Sequence, residues 1–256
     1  MSIKAFLIAL QFLTRLPLGR KEHSDEAMPA QDLGRSMLYY PLVGLLIGVL
    51  LAGTALLLGD LTLQAQHAKP VIAAILLALW VGITGALHLD GLADSADAWL
   101  GGYGDRERTL DIMKDPYCGP AGVVTLVLVL LLKFVALLVL LDGAWWALLW
   151  APLLGRSAVL WLFLTTPYVR QNGLGAVPAA NLPRRAAWGI LALVAVALLG
   201  MTVVFHLLMP LFCIVLLSVF LRYLMQQRLG GITGDTAGAM IEVVEMGWLV
   251  ALALVV

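Results

Sequence analysis

The sequence alternates between long apolar runs and short polar connections. A helix needs about 20 mostly apolar residues to cross the hydrocarbon layer of a bilayer, and charges, Pro and Gly mark the ends of such runs. By this criterion the pattern predicts seven membrane-spanning helices. Their approximate bounds are Met37–Leu58, Val71–Leu89, Val123–Leu141, Trp145–Leu164, Ala186–Phe205, Leu207–Leu224 and Ala239–Val256.

Two stretches of this pattern leave alternatives open. The fifth and sixth predicted spans are separated only by a turn around His206 to Pro210, so one long broken helix is the alternative. The first apolar stretch, Ile3 to Leu16, is interrupted by Lys4, Gln11 and Arg15, and no small-residue cleavage site follows it. We interpret this stretch as an amphipathic interfacial helix, and a short re-entrant segment is the rival interpretation.

The composition agrees with a membrane protein. Of the 256 residues 62% are apolar and only 12% are charged, and the mean hydropathy is +0.97, whereas a soluble domain is roughly half apolar and about a quarter charged. We therefore expect an all-α, polytopic bundle that forms one helical membrane domain over residues 1–256. Within it we distinguish an interfacial N-terminal segment (1–36), an acidic segment (90–121) and a Gly-rich loop (226–238).

Net charge and cysteine content restrict the partners. The apolar composition makes the lipid bilayer an expected partner, and the formal net charge of zero offers no argument for a nucleic acid. The two cysteines, Cys118 and Cys213, cannot form a disulfide framework.

The distribution of Lys and Arg predicts the orientation, because these residues accumulate in short cytoplasmic loops. Five basic residues precede the first span, and only Lys69 lies in the next connection. The N-terminus is therefore predicted to be cytoplasmic. Counting through the spans places most of the remaining basic loop residues on the same side: Arg106, Arg108, Lys114, Arg170, Arg184, Arg185 and Arg228.

Acidic residues are concentrated just after the second predicted span, where seven of the 16 lie between Asp90 and Asp115. Asp90, Asp94 and Asp97 have the spacing i, i+4, i+7, which places them on one face if the second span continues as a helix. Three like charges repel, and Mg²⁺ relieves the repulsion because it combines a few carboxylates with substrate phosphates. The pattern predicts a magnesium site at the membrane edge, and a solvated acidic loop is the alternative.

Basic residues and a histidine flank this acidic group. Arg108 and Lys114 follow it, and such a mixture of carboxylates and cations suits a phosphate ester. His88 lies one turn before the acids, where it could be a metal ligand, a donor to phosphate or an interfacial hydrogen-bonding residue.

A second polar island occurs near the C-terminus, in LGGITGDTAGAMIEVVE. Its loop carries Thr233 and Asp235, and Glu242 and Glu245 then enter the last predicted span. Acids inside a membrane helix must be paired or line a polar cavity, so both are site candidates. The alternative is that they are buried partners of Lys133 or Arg156. The Gly-rich segment around Arg170 would by itself indicate only a turn.

Motifs along nearly the whole chain resemble the cobalamin synthase family of adenosylcobinamide-GDP ribazoletransferases. They are FLTRLP, YYPLVGLLIG, GALHLDGLADSADA, ERTLDIMKDPYCGPAG, Lys133, GRSAV, VRQNGLG and LGGITGDTAGAMIEVVE. Their order and spacing carry the resemblance together. One departure is Ala98, where the family commonly has Gly, and it concerns the local backbone and not the carboxylates.

The resemblance implies a magnesium-dependent enzyme of the bacterial cytoplasmic (inner) membrane. It would join adenosylcobinamide-GDP to α-ribazole, or to its 5′-phosphate, and release GMP. The implied metal shell is Asp90, Asp94, Asp97 and Asp115. Asp235 or Glu242 would orient or deprotonate the nucleophile. The implied substrate contacts are His88, Arg108, Lys114, Lys133, Arg170 and Thr233. The oligomeric state stays open, with a homo-oligomer among the alternatives.

A fainter resemblance links the acidic segment to the CDP-alcohol phosphotransferases, which would make the protein a lipid-type phosphotransferase. Asp94, Asp97 and Asp115 match three of that family's four motif acids in spacing. Ala98, Gly102 and Gly119 depart from its pattern.

A transporter or channel is the alternative of another class. Its conduction path would be lined by Lys133, Arg156, Glu242 and Glu245. The gathering of acids at one membrane face favours an enzyme.

Overall fold

The computed structural model describes residues 2–17, 28–61, 67–170, 172–205 and 207–256, which form twelve α-helices. They are α1 (Ile3–Leu13), α2 (Ala30–Ser36), α3 (Tyr40–Leu61), α4 (Lys69–Thr84), α5 (Leu87–Gly101), α6 (Arg106–Ile112), α7 (Pro120–Leu140), α8 (Ala147–Thr165), α9 (Ala176–Ala180), α10 (Arg184–Phe205), α11 (Leu208–Leu229) and α12 (Gly234–Ala253). A 3₁₀ turn, Met37–Tyr39, joins α2 to α3. The predicted all-α fold is confirmed.

The number of possible membrane spans agrees with the prediction of about seven. Six stretches are long and apolar enough to cross a bilayer by themselves, namely Ala30–Asp60, which contains α3, together with α7, α8, α10, α11 and α12. The bent pair α4 and α5 supplies the seventh if it counts as one span. α10 and α11 are separate helices, which favours two spans over one broken helix; His206 lies outside the described residues. α1 has 11 residues and is too short to span, as an interfacial helix would be.

The second predicted span, Val71–Leu89, is interrupted by a bend, so the acidic segment is not a straight continuation of its helix. α4 stops at Thr84, and α5 starts at Leu87 with its axis turned by 87°. Gly85 and Ala86 between them have φ angles of 62° and 58°. Gly85 thus closes α4 in the left-handed conformation that glycine adopts at helix ends. Asp90, Asp94 and Asp97 lie on a helix of their own, α5, which packs against α7 and α12.

α8 and α12 form the centre of the bundle. In their most apolar 18-residue stretches 83% and 72% of the residues are buried, compared with 11% for α10. In water such exposed apolar surface would be unfavourable, whereas a bilayer solvates it. We therefore expect α10 to lie at the lipid-facing periphery and the polar groups of α8 and α12 to be shielded from lipid.

Two glycines let α3 approach α8 closely. A Cβ atom at Gly44 would lie within 3.0 Å of the Pro152 carbonyl oxygen, and one at Gly48 would lie 2.6 Å from the Leu149 carbonyl oxygen. Small residues spaced by four along a membrane helix permit such backbone contact, and van der Waals packing then holds the helices together.

This contact predicts opposite effects for two alanine substitutions in α3. Gly44→Ala should destabilise the protein by about 1–3 kcal/mol, because the added methyl group meets backbone that cannot move aside. Gly53→Ala is the matched control, since no atom lies within 4 Å of its Cβ position and Ala is the better helix former. Thermal unfolding in detergent should show a lower melting temperature for Gly44→Ala alone. Equal melting temperatures for the two variants would contradict the packing.

Candidate active site

α5 brings the three predicted acids to one side of the bundle, but in two different environments. Asp97 is bound by the protein: its Oδ2 accepts from the Gly119 amide at 2.7 Å and its Oδ1 from the Gly122 amide at 2.9 Å. It therefore caps the N-terminus of α7, where amides lack partners and the helix dipole favours a negative charge. In contrast, the Asp90 and Asp94 side chains accept no hydrogen bond from any described residue.

The glycines after the acidic segment are explained by this cap. A Cβ atom at either Gly119 or Gly122 would come within 2.5 Å of a carboxylate oxygen of Asp97. The CGPAG motif therefore serves to admit the carboxylate to the start of α7.

An open cleft lies between α5 and the start of α12, and we call it the α5–α12 cleft. It contains about 770 Å³ of empty space, with the space at its mouth included. Its polar wall is formed by His88, Asp90, Gly91, Gly234, Asp235 and Gly238, and its apolar wall includes Phe12, Leu13, Tyr40, Val159 and Phe163. The predicted residues Asp90 and Asp235 thus line one cavity, although they are far apart in sequence.

Asp235 is held by Arg170, whose Nη1 lies 2.9 Å from its Oδ2. Asp94 is within electrostatic reach of Asp90, Asp97 and Asp235, and Arg170 acts on it with the opposite sign. One cation, Arg170, is thus set against four carboxylates, those of Asp90, Asp94, Asp97 and Asp235. The site is therefore negatively charged and attracts a further positive charge.

Two loops are joined to place Arg170 beside Asp235. The Val169 amide donates to the Ile232 carbonyl at 2.9 Å, and the Ile232 amide donates to the Pro167 carbonyl at 2.9 Å. Thr233 then starts α12 with a capping box, in which its hydroxyl and that of Thr236 each accept from the other residue's amide. The predicted substrate contact Thr233 is fully buried, and its hydroxyl is engaged in this cap.

The residues after the acidic segment fold into α6. Asp105 caps its amides, and Arg106 donates to the Leu229 carbonyl at 2.7 Å, which attaches α6 to the end of α11. Lys114 pairs with Asp111 at 2.8 Å and, together with Arg170 and Thr233, lines a second pocket beside the cleft.

Arg108 and Asp115 are exposed and are not brought to the acids of α5 in the described part of the chain. Asp115 instead accepts from the Tyr117 amide at 3.0 Å within its own loop. The donation from Tyr117 two residues later forms an ordinary Asx turn, which holds Asp115 within the exposed stretch 114–118.

Four charged residues form a buried ion cluster inside the bundle. Lys133 on α7 lies 2.6 Å from Glu242 and 2.7 Å from Glu245, both on α12, and Arg156 on α8 pairs with Glu245. All four side chains are at most 4% exposed. Lys133 also lies 4.6 Å from the centre of the Trp80 ring, a cation–π contact.

The cluster bears on the two interpretations of the acids in the last span. Glu242 and Lys133 are absent from the lining of the α5–α12 cleft. Their positions favour the buried-partner alternative over the catalytic and substrate-binding roles expected for them, since a charge in an apolar bundle must be paired. Asp235 is the acid of this region that reaches the cleft.

Comparison with known proteins agrees with the motifs. The sequence profile of cobalamin-5-phosphate synthase matches residues 5–253. This chain belongs to the cobalamin-5-phosphate synthase family. Curated relatives named adenosylcobinamide-GDP ribazoletransferase include proteins of Pseudomonas putida (strain GB-1) and Stutzerimonas stutzeri (strain A1501). Both are 57% identical to this chain, and the alignments cover 97% of it and 98% and 97% of the relatives. No solved structure matches the chain.

One residue that packs beside the cleft of this cobalamin-5-phosphate synthase family member, against its lining residues Phe163 and Gly175, was missed by the sequence reasoning. The Tyr168 ring stacks on Phe163 at 5.8 Å, and Cβ atoms at Gly173 and Gly175 would collide with it. Burial raises the pKa of the Tyr168 phenol, and the Asp235 carboxylate raises it further, so the hydroxyl stays protonated at neutral pH. The glycine spacing in VRQNGLG was the available signal, but by itself it indicates only a turn.

The ion cluster predicts that restoring its charge balance restores stability. It holds two cations and two carboxylates, so Lys133→Met alone leaves a surplus buried negative charge and should cost about 3–5 kcal/mol. Adding Glu242→Gln to Lys133→Met removes the surplus charge and should recover much of this loss. Melting temperatures of the wild type, the two single variants and the double variant complete the cycle. Additive losses would show that Lys133 and Glu242 are not coupled.

Proposed function

We propose that this protein transfers the adenosylcobinamide-phosphate group of adenosylcobinamide-GDP to α-ribazole or its 5′-phosphate and releases GMP. The observation that carries the proposal is the family match over residues 5–253, together with relatives of 57% identity that bear the transferase name. The α5–α12 cleft supports it, because acids, a cation and a helix N-terminus meet there beside an apolar wall.

The proposed reaction is a displacement at phosphorus. A ribazole hydroxyl attacks the phosphorus on the cobinamide side of the pyrophosphate, the bond from that phosphorus to the bridging oxygen breaks, and GMP leaves with that oxygen. The hydroxyl proton needs an acceptor, and Asp235 is the candidate because it lies on the cleft, whereas Glu242 is buried in the ion cluster. Arg170 and the amides at the start of α12 are placed to stabilise phosphate charge.

Asp90 and Asp94 are the proposed ligands of Mg²⁺. Their oxygens have no partner among the described residues, while those of Asp97 are engaged by two amides. No group of three His, Cys, Asp or Glu side chains in the described ranges is arranged to hold a metal ion. This donor set still fits magnesium, which is commonly bound by one or two carboxylates together with water and substrate phosphates. When bound, the cation would neutralise charge on the pyrophosphate.

The transporter alternative loses its main support. It required Lys133, Arg156 and the two acids of α12 to line a conduction path, but these four residues are buried and paired with one another. A lipid-type phosphotransferase is disfavoured at position 119, where that family's motif has its fourth acid. Here the residue is Gly119, and its amide donates to Asp97, which caps α7.

We further propose that the protein lies in the bacterial cytoplasmic membrane with the α5–α12 cleft facing the cytoplasm. Arg106 at the start of α6, Arg170, and Arg228 at the end of α11 lie at this end of the bundle. Basic residues at the ends of spans accumulate on the cytoplasmic side. Cys118 is exposed beside these loops. Its labelling by an impermeant thiol reagent in intact cells would overturn the orientation.

The activity is tested by incubating the purified protein with adenosylcobinamide-GDP, α-ribazole and Mg²⁺ and measuring GMP. We expect GMP release that requires both the acceptor and the cation. Asp94→Asn should lower turnover by about 100-fold or more, while Asp142→Asn should leave it unchanged, because Asp142 pairs with Lys69 on an exposed surface. GMP release without the acceptor, or none with all components, would contradict the proposed transfer.

The metal site can be tested without turnover through Cys118. Partial desolvation raises the pKa of this thiol, and the Asp97, Asp94 and Asp90 carboxylates raise it further. A cation bound at the acids opposes that effect, so more thiolate forms and alkylation becomes faster. In a Cys213→Ala background Mg²⁺ should accelerate alkylation of Cys118, and Asp94→Asn should remove the acceleration. A rate that is independent of Mg²⁺ in the unsubstituted site would count against these ligands.

A further inference from the structure

His88 stands where the buried ion cluster meets the α5–α12 cleft. His88 is only 3% exposed, and it lines the cleft together with Asp90 and Asp235. Its Nδ1 lies 3.4 Å from Nη2 of Arg156. Its Nε2 has no hydrogen-bond partner among the described residues. Because a buried polar atom without a partner is costly, Nε2 is a candidate for contact with a bound molecule.

The contact with Arg156 determines which nitrogen of His88 carries the proton. A guanidinium group has five N–H donors and no acceptor, so the contact requires a lone pair on Nδ1. A neutral imidazole with its proton on Nδ1 would place two donors against each other, and an imidazolium would add two like charges. The imidazole is therefore neutral with its hydrogen on Nε2, and Nε2 is a donor.

The other members of the ion cluster hold Arg156 in this position. Arg156 on α8 is fully buried and pairs with Glu245, which also accepts from Lys133 at 2.7 Å. The guanidinium is thus fixed from α7 and α12 before it meets His88 on α5. The ion cluster itself does not line the cleft, and it is connected to the cleft by the contact between Arg156 and His88.

We propose that Arg156 holds His88 as the Nε2-protonated tautomer and that this Nε2–H donates to a phosphoryl oxygen of adenosylcobinamide-GDP. The inference rests on the proposed function and adds a substrate-contacting group and a positioning residue to it. A phosphoryl oxygen is the fitting acceptor because it carries negative charge. The N-terminus of α12, where a helix favours an anion, lines the same cleft with Gly234 and Asp235.

Two substitutions of His88 separate the proposed donor from a purely structural role. The amide group of Asn lies near the position of Nδ1, so His88→Asn retains an acceptor for Arg156. The longer Gln places its amide near Nε2, so His88→Gln retains a donor to the cleft. Equilibrium binding of adenosylcobinamide-GDP without α-ribazole should be weakened about tenfold or more by His88→Asn and much less by His88→Gln. Melting temperatures identify any loss of fold.

The reverse order, with tight binding by His88→Asn and weak binding by His88→Gln, would show that His88 only anchors Arg156. Equal losses in both variants would also overturn the proposal, since Gln retains the donor.

A second measurement leaves His88 intact. The chain has four histidines, and replacing His23, His67 and His206 with Gln leaves His88 as the only imidazole. ¹⁵N NMR of this protein should show the Nε2-protonated tautomer, and its resonance should shift on addition of adenosylcobinamide-GDP. A proton on Nδ1, or a resonance that does not shift when the substrate is added, would overturn the inference. The tautomer is observed without turnover, so this failure is distinct from a failure of the GMP-release assay.

Discussion

The pairing of four charges inside an apolar bundle is the constraint on which the rest of the structure depends. Lys133, Arg156, Glu242 and Glu245 come from three helices and satisfy one another away from solvent. A buried ion pair is favourable only when every partner is present in good geometry. The rotation and depth of α7, α8 and α12 are therefore coupled, because a shift of any one of them would leave a charge in hydrocarbon.

The position of the cleft acid follows from this coupling. Asp235 precedes Glu242 by seven residues, so the two lie on the same face of α12 about two turns apart. Fixing Glu242 against Lys133 therefore directs Asp235 toward α5. Close approach is allowed by Gly91, where a Cβ atom would lie 2.8 Å from the Asp235 carbonyl oxygen, and by Gly238, where one would lie 3.3 Å from the His88 backbone. The cleft is in this sense a consequence of the packing.

Sequence patterns could predict what depends on local composition and spacing. The apolar runs predicted the helices of the bundle, and the spacing of Asp90, Asp94 and Asp97 predicted a common helical face. The bend at Gly85 could not be predicted, because the residues on both sides of it favour helix and only the left-handed φ angles separate them. The role of Asp97 was also hidden, because its partners are backbone amides 22 and 25 residues later, which no side-chain motif reveals.

The acids of α5 impose an order on the proposed chemistry. Asp90 lines the cleft in which the proposed substrate would bind, and Asp94 follows one turn later on α5. Both would repel a pyrophosphate, because like charges at short range repel. Arg170 is already paired with Asp235, so its charge is partly neutralised before any phosphate arrives. The pyrophosphate can therefore approach this wall only together with additional positive charge. Asp90 and Asp94 would hold that charge if the proposed Mg²⁺ is bound, and the uncharged hydroxyl of the ribazole would meet no electrostatic barrier at the apolar wall.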